Sequence, residues 1–162
     1  MGTLEVLLTL PVRERDVVLG KFMSSFLFLA LMLALTFNVP LMVGALGEPD
    51  WGQIICGYLG ALLLGASYLS IGLFASALSE NQIIAFILAI VIGVALLIVG
   101  EWFFLMLLPD FLVPVLEHLG LATHFESMGR GVIDSRDIVY YFSIIGVFLY
   151  LNVNVVENRS WV

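Results

Sequence analysis

Four long apolar stretches, separated by short polar ones, dominate the pattern of this chain. They run over residues 22–46, 54–78, 83–108 and 138–156. About 20 apolar residues in a helix cross the roughly 30 Å hydrocarbon core of a bilayer. A helix also satisfies its own backbone hydrogen bonds, which lipid cannot do. The pattern therefore predicts an all-α, polytopic protein with four transmembrane helices in a single membrane domain over residues 1–162.

An amphipathic segment, residues 1–21, precedes the first predicted span. Leu4, Leu7 and Leu8 share one face of a short helix that Pro11 ends. A charged run over residues 13–16 follows, and Lys21 stands at the start of the span. The pattern alone leaves two interpretations open. The segment is either an interfacial anchor with a basic flank or a docking helix for a cytoplasmic partner.

Residues 109–137 are apolar but too interrupted to cross a membrane. Pro114, Glu117 and Gly120 break the run. The pattern predicts re-entrant or interfacial helices on the outer side, before the last span. Glu126 and Arg130 are four residues apart, so they are predicted to pair across one helical turn.

Composition supports a membrane protein and narrows its partners. The chain is 62% hydrophobic and 12% charged, against about 25% charged residues in soluble domains. Its mean hydropathy is +1.13. The surroundings of the spans are therefore membrane lipid. The formal net charge is −7, so no basic face indicates a nucleic-acid partner.

The distribution of basic residues predicts the orientation. Four lie on the side of the two termini and two on the other side: Arg13, Arg15, Lys21 and Arg159, against Arg130 and Arg136. Cytoplasmic flanks of membrane proteins are enriched in Lys and Arg. We therefore predict a multi-pass protein of the plasma (inner) membrane with both termini in the cytoplasm.

Three residues within the spans are candidates for a transport path. Glu101 is the one acid inside an apparent span, and an intramembrane acid is a functional candidate. It also stands next to Trp102 near the outer end, where it could reach the interface. Asn38 and Pro40 lie in the second half of the first span, and Pro40 predicts a kink there.

Small residues and histidines predict structure rather than chemistry. Gly57, Ala61 and Gly65 are spaced by four, which predicts a face of the second span packed against protein.

His118 and His124, six residues apart, fall on different helix faces, so we predict no metal site. The sequence contains no HExxH motif and no recognisable Ser-His-Asp set. A membrane hydrolase is therefore a weak alternative, and we expect no enzyme activity in this chain.

Three stretches, in order, carry a family resemblance: GTLEVLLTLPVRERDVVLGKF, LFASALSENQIIA and HFESMGRGVIDSRDIVYY. They resemble the permeases of ABC-2 type transporters, in particular the branch that includes the gliding-motility and copper-processing permeases. The resemblance implies a bundle of six spans with a coupling helix between the second and the third. The four spans here would match the third to the sixth, so the family's first two spans would be missing.

The resemblance also implies partners. An ABC ATPase subunit would dock on the coupling region and bind ATP and Mg, and a second permease copy or a homologous permease would complete a dimer. This chain would bind no cofactor itself, because Arg15 and Phe22 stand where a phosphate-binding loop needs Gly and Ser/Thr. The residues expected to dock the ATPase are Leu4, Glu5, Leu8, Thr9, Arg13, Glu80 and Asn81. The predicted function is the permease subunit of an ATP-driven exporter. The alternative is a non-transporting anchor or assembly subunit that recruits a cytoplasmic partner.

Overall fold

The structure, a computed structural model, describes residues 13–109 and 111–159, and the backbone alone of Arg159. These residues form helices joined by turns, without a strand in either described range. The helices are α1 (Glu14–Thr36), α2 (Asn38–Leu46), α3 (Trp51–Leu78), α4 (Gln82–Ile98), α5 (Trp102–Leu105), α6 (Val113–Leu119), α7 (Leu121–Gly129) and α8 (Ser135–Arg159).

Helix α3 is the centre of the bundle and packs against α1, α4, α7 and α8. Small side chains permit this close packing. A Cβ built on Gly60 would lie 3.0 Å from the Cβ of Met128, so α7 rests on the backbone of α3. The buried positions of α3 are Cys56, Gly60, Ala66, Ser67, Ser70, Ile71 and Ala75.

The small-residue face predicted on the second span is only partly correct. Gly65 does lie against another helix, because a Cβ there would meet a methyl group of Leu29 at 2.6 Å. In contrast, a Cβ on Gly57 would meet nothing within 4 Å, and Gly57 and Ala61 border an open groove. The packed face is therefore rotated away from the predicted one over the first half of the helix.

Two clusters of buried side chains hold the helices together. Ile71, Leu121, Met128 and Tyr141 join α3, α7 and α8. A second cluster joins α1, α3 and α8 and consists of Phe22, Ala66 and Ile145. Large apolar side chains such as those of Leu27, Phe86 and Phe142 cover the outside of the bundle. In a membrane protein this surface faces lipid.

Contacts at opposite ends of the bundle define its topology. At one end, Arg15 Nε lies 3.5 Å from Glu157 Oε1, so the beginning of α1 meets the end of α8. At the other end, Gln53 Nε2 donates a hydrogen bond to the Gly129 carbonyl at 2.9 Å. We call these the α1 end and the α7 end. The α1 end also contains the turn between α3 and α4, since Val17 and Val18 share a cavity wall with Ser76 and Ala77.

Within residues 13–109 and 111–159, three helical segments are long and apolar enough to cross a membrane: Glu14–Leu46, Trp51–Leu78 and Ser135–Asn158. The first begins earlier than predicted and is interrupted at Phe37, three residues before Pro40. Proline has no N–H group, so the helical bond that residue 40 would donate to the Thr36 carbonyl is missing. The helix is interrupted at Phe37, directly after Thr36, whose carbonyl lacks this hydrogen bond.

The predicted helix over residues 83–108 is wrong in its second half. Helix α4 ends at Ile98, and its 17 residues reach about 25 Å. A short break and the four-residue helix α5 follow. Glycine weakens a helix, and Gly100 stands in this break, with its backbone close to that of Gly120. A Cβ built on Gly120 would lie 2.4 Å from the Gly100 Cα, so a side chain at residue 120 would collide with the backbone of the break.

The interrupted segment before α8 forms two short helices, α6 and α7. The second lies along α3 and buries Leu121 and Met128. The turn after it passes over α3 at Gly131, whose φ of +85° favours glycine. A Cβ at that position would also lie 3.2 Å from the Gln53 Cα. This turn sets where α8 begins relative to α7.

Candidate functional sites at the two ends of the bundle

The predicted docking residues fall at the α1 end as far as the structure describes them. Leu4, Glu5, Leu8 and Thr9 lie outside the described residues. Arg13 precedes the first turn of α1 and is exposed, and Glu80 is exposed in the turn between α3 and α4. The structure thus places a cation and an anion of the predicted set at the same end of the bundle.

Asn81 has a structural task in that turn. Its Oδ1 accepts a hydrogen bond from the Ile83 N–H at 2.9 Å and so caps α4. The Ser79 hydroxyl donates to the Asn81 carbonyl at 3.1 Å and accepts from the Asn81 N–H at the same distance. These bonds hold the turn in one shape, with Glu80 at its tip.

A cavity of about 140 Å³ lies just below this end, where α1, α3 and α8 meet. Its walls include Val18 and Lys21 of α1, Ser76 of α3 and Asn152 of α8. Asn152 is only 3% exposed. A displacement of the start of α1 would therefore act directly on both α3 and α8.

Two of the three transport-path candidates lie at the interruption between α1 and α2. The Asn38 Nδ2 donates to the Leu35 carbonyl at 3.1 Å, and the side chain is otherwise exposed. Pro40 lines a groove of about 300 Å³ together with Tyr58, which also lines a second groove of about 240 Å³. The Thr36 and Tyr58 hydroxyl oxygens are 3.2 Å apart.

Glu101 is not inside a continuous span, which corrects the sequence interpretation. It precedes α5, after the break that follows α4, and it is exposed. Its carbonyl accepts from the N–H groups of Phe104 and Leu105. No hydrogen bond or ion pair of the described chain joins it to Asn38. The three path candidates therefore do not form one cluster.

The predicted partners Glu126 and Arg130 are in contact across one turn of α7. Both side chains are largely exposed, at 65% and 72%. An exposed pair of this kind contributes about 0–1 kcal/mol to stability. The pair lies on the exposed surface of α7 and does not form a buried site.

The most connected polar group of the described residues is His124, on the opposite face of α7. Its Nδ1 lies 2.7 Å from Asp137 Oδ1, and its Nε2 lies 3.2 Å from the His118 carbonyl oxygen. Both neighbours are acceptors, so both contacts are hydrogen bonds only when both ring nitrogens carry protons. The ring also stacks on Tyr140, with centroids 4.0 Å apart. His124 thereby ties α7 to the end of α6 and to the first turns of α8.

Asp137 is the buried acid of this cluster. Its side chain is 8% exposed, and its second oxygen accepts a hydrogen bond from the Ser127 hydroxyl. A buried carboxylate is tolerated when it is paired and hydrogen-bonded, as here. We call His124, Ser127 and Asp137 the α7–α8 cluster.

This cluster was missed from the sequence because helical spacing relates residues within one helix, and Asp137 belongs to the next helix. It contains Ser, His and Asp, the residue types of a hydrolase triad, but in the wrong arrangement. In a triad the serine bonds to the histidine Nε2. Here the Ser127 hydroxyl contacts Asp137 and the His124 carbonyl, while the His124 Nε2 faces a backbone oxygen. The arrangement joins helices and does not activate a nucleophile.

A partial signal for the cluster does exist in the sequence. His124 and Ser127 are three residues apart and thus share a helical face, and Asp137 stands at the start of the last helix. Several other acids stand near this turn, including Glu126 and Asp134. Only the path of the turn through Gly131 decides which one reaches His124.

Metal binding finds no support in the arrangement of these side chains. Within the described ranges, no three residues among His, Cys, Asp and Glu converge in a way that could hold a metal ion. His118 Nδ1 bonds to the Pro114 carbonyl at 2.9 Å, within its own helix.

Comparison with known proteins gives one match. A family model described as "ABC-2 family transporter protein" matches residues 1–152. No curated protein and no solved structure matches the chain.

Proposed function

The chain belongs to the ABC-2 family of transporter proteins, and from that premise we propose that it is the permease subunit of an ATP-driven exporter. The observation that supports this most is the family match over 152 of the 162 residues. The part of the chain that the structure describes also has three helices long and apolar enough to cross a membrane. In this proposal α4, with the break and α5, completes a fourth crossing. Helices α6 and α7 form the re-entrant segment on the outer side.

The partner that supplies energy would be a separate ABC ATPase, which binds ATP and Mg, and a second permease would complete the path. The α1 end suits the docking role because Arg13 and Glu80 are exposed there on adjacent elements. Closure of the ATPase would push on the chain that enters α1. Because α1 packs on both α3 and α8, the push would reorient the bundle as a shear between packed helices.

The docking proposal predicts the loss of the ATPase from a purified complex. Replacing Leu4, Leu8 and Arg13 together by alanine should reduce the ATPase that co-purifies with the tagged chain at least about tenfold, since each 1.4 kcal/mol of lost contact is tenfold in affinity. The matched control is Arg130→Ala, which removes an exposed arginine at the α7 end. An ATPase that stays bound to the triple variant at the control level would contradict the assignment.

The proposed orientation predicts which end of the bundle an impermeant thiol reagent reaches from outside the cell. In a Cys56→Ser background, single cysteines at Glu48 and Glu80 replace exposed residues of opposite ends. With both termini in the cytoplasm of the plasma membrane, an impermeant thiol reagent should label position 48 in intact cells and position 80 only after lysis. The reverse pattern would show that the α1 end is outside.

A further inference from the structure

A groove of about 390 Å³ opens at the α7 end, between the short helices and the beginning of α8. It has no part in the docking surface at the α1 end or in the transport-path candidates. Its lining consists of His118, His124, Ser135, Arg136, Val139 and Tyr140.

The floor of the groove is held in place by contacts on both sides. His124 stacks on Tyr140 with an angle of 22° between the rings and is bonded to Asp137. The Tyr140 hydroxyl donates to the Leu119 carbonyl at 2.6 Å, so the ring is anchored to the end of α6. The groove is therefore preformed, and a ligand would not have to order these two rings.

Arg136 supplies the positive charge of the groove. Its guanidinium pairs with no carboxylate within the two ranges that the structure describes. The acids around it are engaged elsewhere, since Asp134 Oδ1 accepts the Arg136 backbone N–H at 2.9 Å and Asp137 is bound by His124 and Ser127. The comparable outer arginine, Arg130, has Glu126 as its partner.

The position of the lining residues along α8 indicates how a lipid would be oriented in the groove. Helix α8 starts at Ser135 and has 25 residues, which reach about 37 Å and exceed the roughly 30 Å hydrocarbon core of a bilayer. When α8 spans the membrane, its first turn, with Ser135 and Arg136, extends toward the headgroups, and Val139, one turn further along and 64% exposed, lies nearer the hydrocarbon. Polar and apolar lining follow each other in the same order as the headgroup and chains of a phospholipid.

We propose that this groove is a specific site for a membrane phospholipid, with its phosphate on Arg136 and its chains along Val139. A guanidinium binds phosphate oxygens through two parallel hydrogen bonds, which explains the use of arginine at this position. Tyr140 and His118 also line the groove. The site depends on α8 crossing the membrane and not on the ATPase partnership.

The test measures lipid binding by native mass spectrometry of the full chain in a phosphate-free, non-ionic detergent. The probes are dihexanoylphosphatidic acid, dihexanoylglycerol with the same chains and no phosphate, and inorganic phosphate. We expect each chain to bind one phosphatidic acid molecule in the groove. The affinity should fall about tenfold in Arg136→Gln, as for one lost charge-assisted contact. Arg130→Gln, at an exposed arginine outside the groove, should leave binding unchanged.

Each other result overturns the proposal in a defined way. Equal affinities for Arg136→Gln and Arg130→Gln would mean that the lipid binds elsewhere on the bundle. Equal affinities for dihexanoylglycerol and phosphatidic acid would show that the site does not recognise the phosphate. Inorganic phosphate binding equally well would show a site for a free anion instead of a lipid. Val139→Ser provides a second check, because it should weaken phosphatidic acid and leave inorganic phosphate unaffected.

Discussion

Replacing His124 by alanine is expected to destabilise the folded bundle by about 1–3 kcal/mol, the usual cost of leaving a buried polar group without one of its hydrogen-bond partners. Asp137, with its side chain 8% exposed, would keep only the Ser127 hydroxyl as a side-chain partner. The stack on Tyr140 and the bond to the His118 carbonyl would be lost as well. Thermal unfolding in detergent, followed by near-ultraviolet circular dichroism of the tyrosines, measures the effect.

The control for this variant is His118→Ala. The ring of His118 bonds only to the carbonyl of Pro114 in its own short helix, and the His118 carbonyl that receives His124 belongs to the backbone. We expect the control to change stability by less than about 1 kcal/mol, the contribution of a typical hydrogen bond. If His118→Ala destabilises the protein as much as His124→Ala, the α7–α8 cluster does not hold the helices as described.

A double variant separates the buried charge from the lost contacts. Changing His124 and Asp137 together to leucine removes both polar partners, so no unpaired carboxylate remains in the interior. Replacing a whole buried pair by apolar side chains is often neutral or stabilising. We therefore expect the double variant to be more stable than His124→Ala. A double variant less stable than the single one would show that the pair itself is strongly favourable.

Replacing Gly120 by alanine is the second large effect, with an expected loss of about 1–3 kcal/mol from overpacking. The φ of Gly120 is −73°, which any residue adopts, so space alone decides the result. The new Cβ would lie 2.4 Å from the Gly100 Cα and 2.8 Å from its nitrogen. Both are backbone atoms, so the break after α4 and the start of α7 would have to separate. The thermal unfolding midpoint reports this change.

Gly129→Ala, at the opposite end of α7 from Gly120, is the matched control. A Cβ at Gly129 would meet nothing within 4 Å, and the residue is helical. Alanine there should be neutral or stabilise by about 0.4–1 kcal/mol through the unfolded state. Equal losses for Gly120→Ala and Gly129→Ala would mean that the close approach of the two backbones does not determine stability.

Much of the fold was accessible from the apolar pattern, because the pattern and the helix are both local. The runs that begin near residues 22, 54 and 138 correspond to α1 with α2, α3 and α8. Pro40 indicated the interruption that the structure has at Phe37, since the missing N–H group belongs to the residue itself. The apolar run over residues 83–108 failed as a guide, because apolarity does not show where a helix ends. The break at Gly100 packs against Gly120, 20 residues further along the chain.

The candidate site residues also divide into those whose contacts the sequence predicted and those whose contacts it did not. The contact between Glu126 and Arg130 is set by helical spacing, so the sequence was enough to predict it. Glu101 looked like an intramembrane acid because the run around it is apolar, but the structure places it in the break before α5. The role of Asn81 as a cap could have been anticipated from its place before an apolar helix.

The amino-acid sequence by itself determined the class of this protein, its long helices and its family. Lipid imposes length and apolarity on each crossing segment, and both can be counted along the chain. Only the tertiary structure decided which acid pairs with His124, where α4 ends, and that Arg136 lies in a groove beside two stacked rings. Those outcomes depend on contacts between different helices, and the turns at Gly100, Gly120 and Gly131 set these contacts.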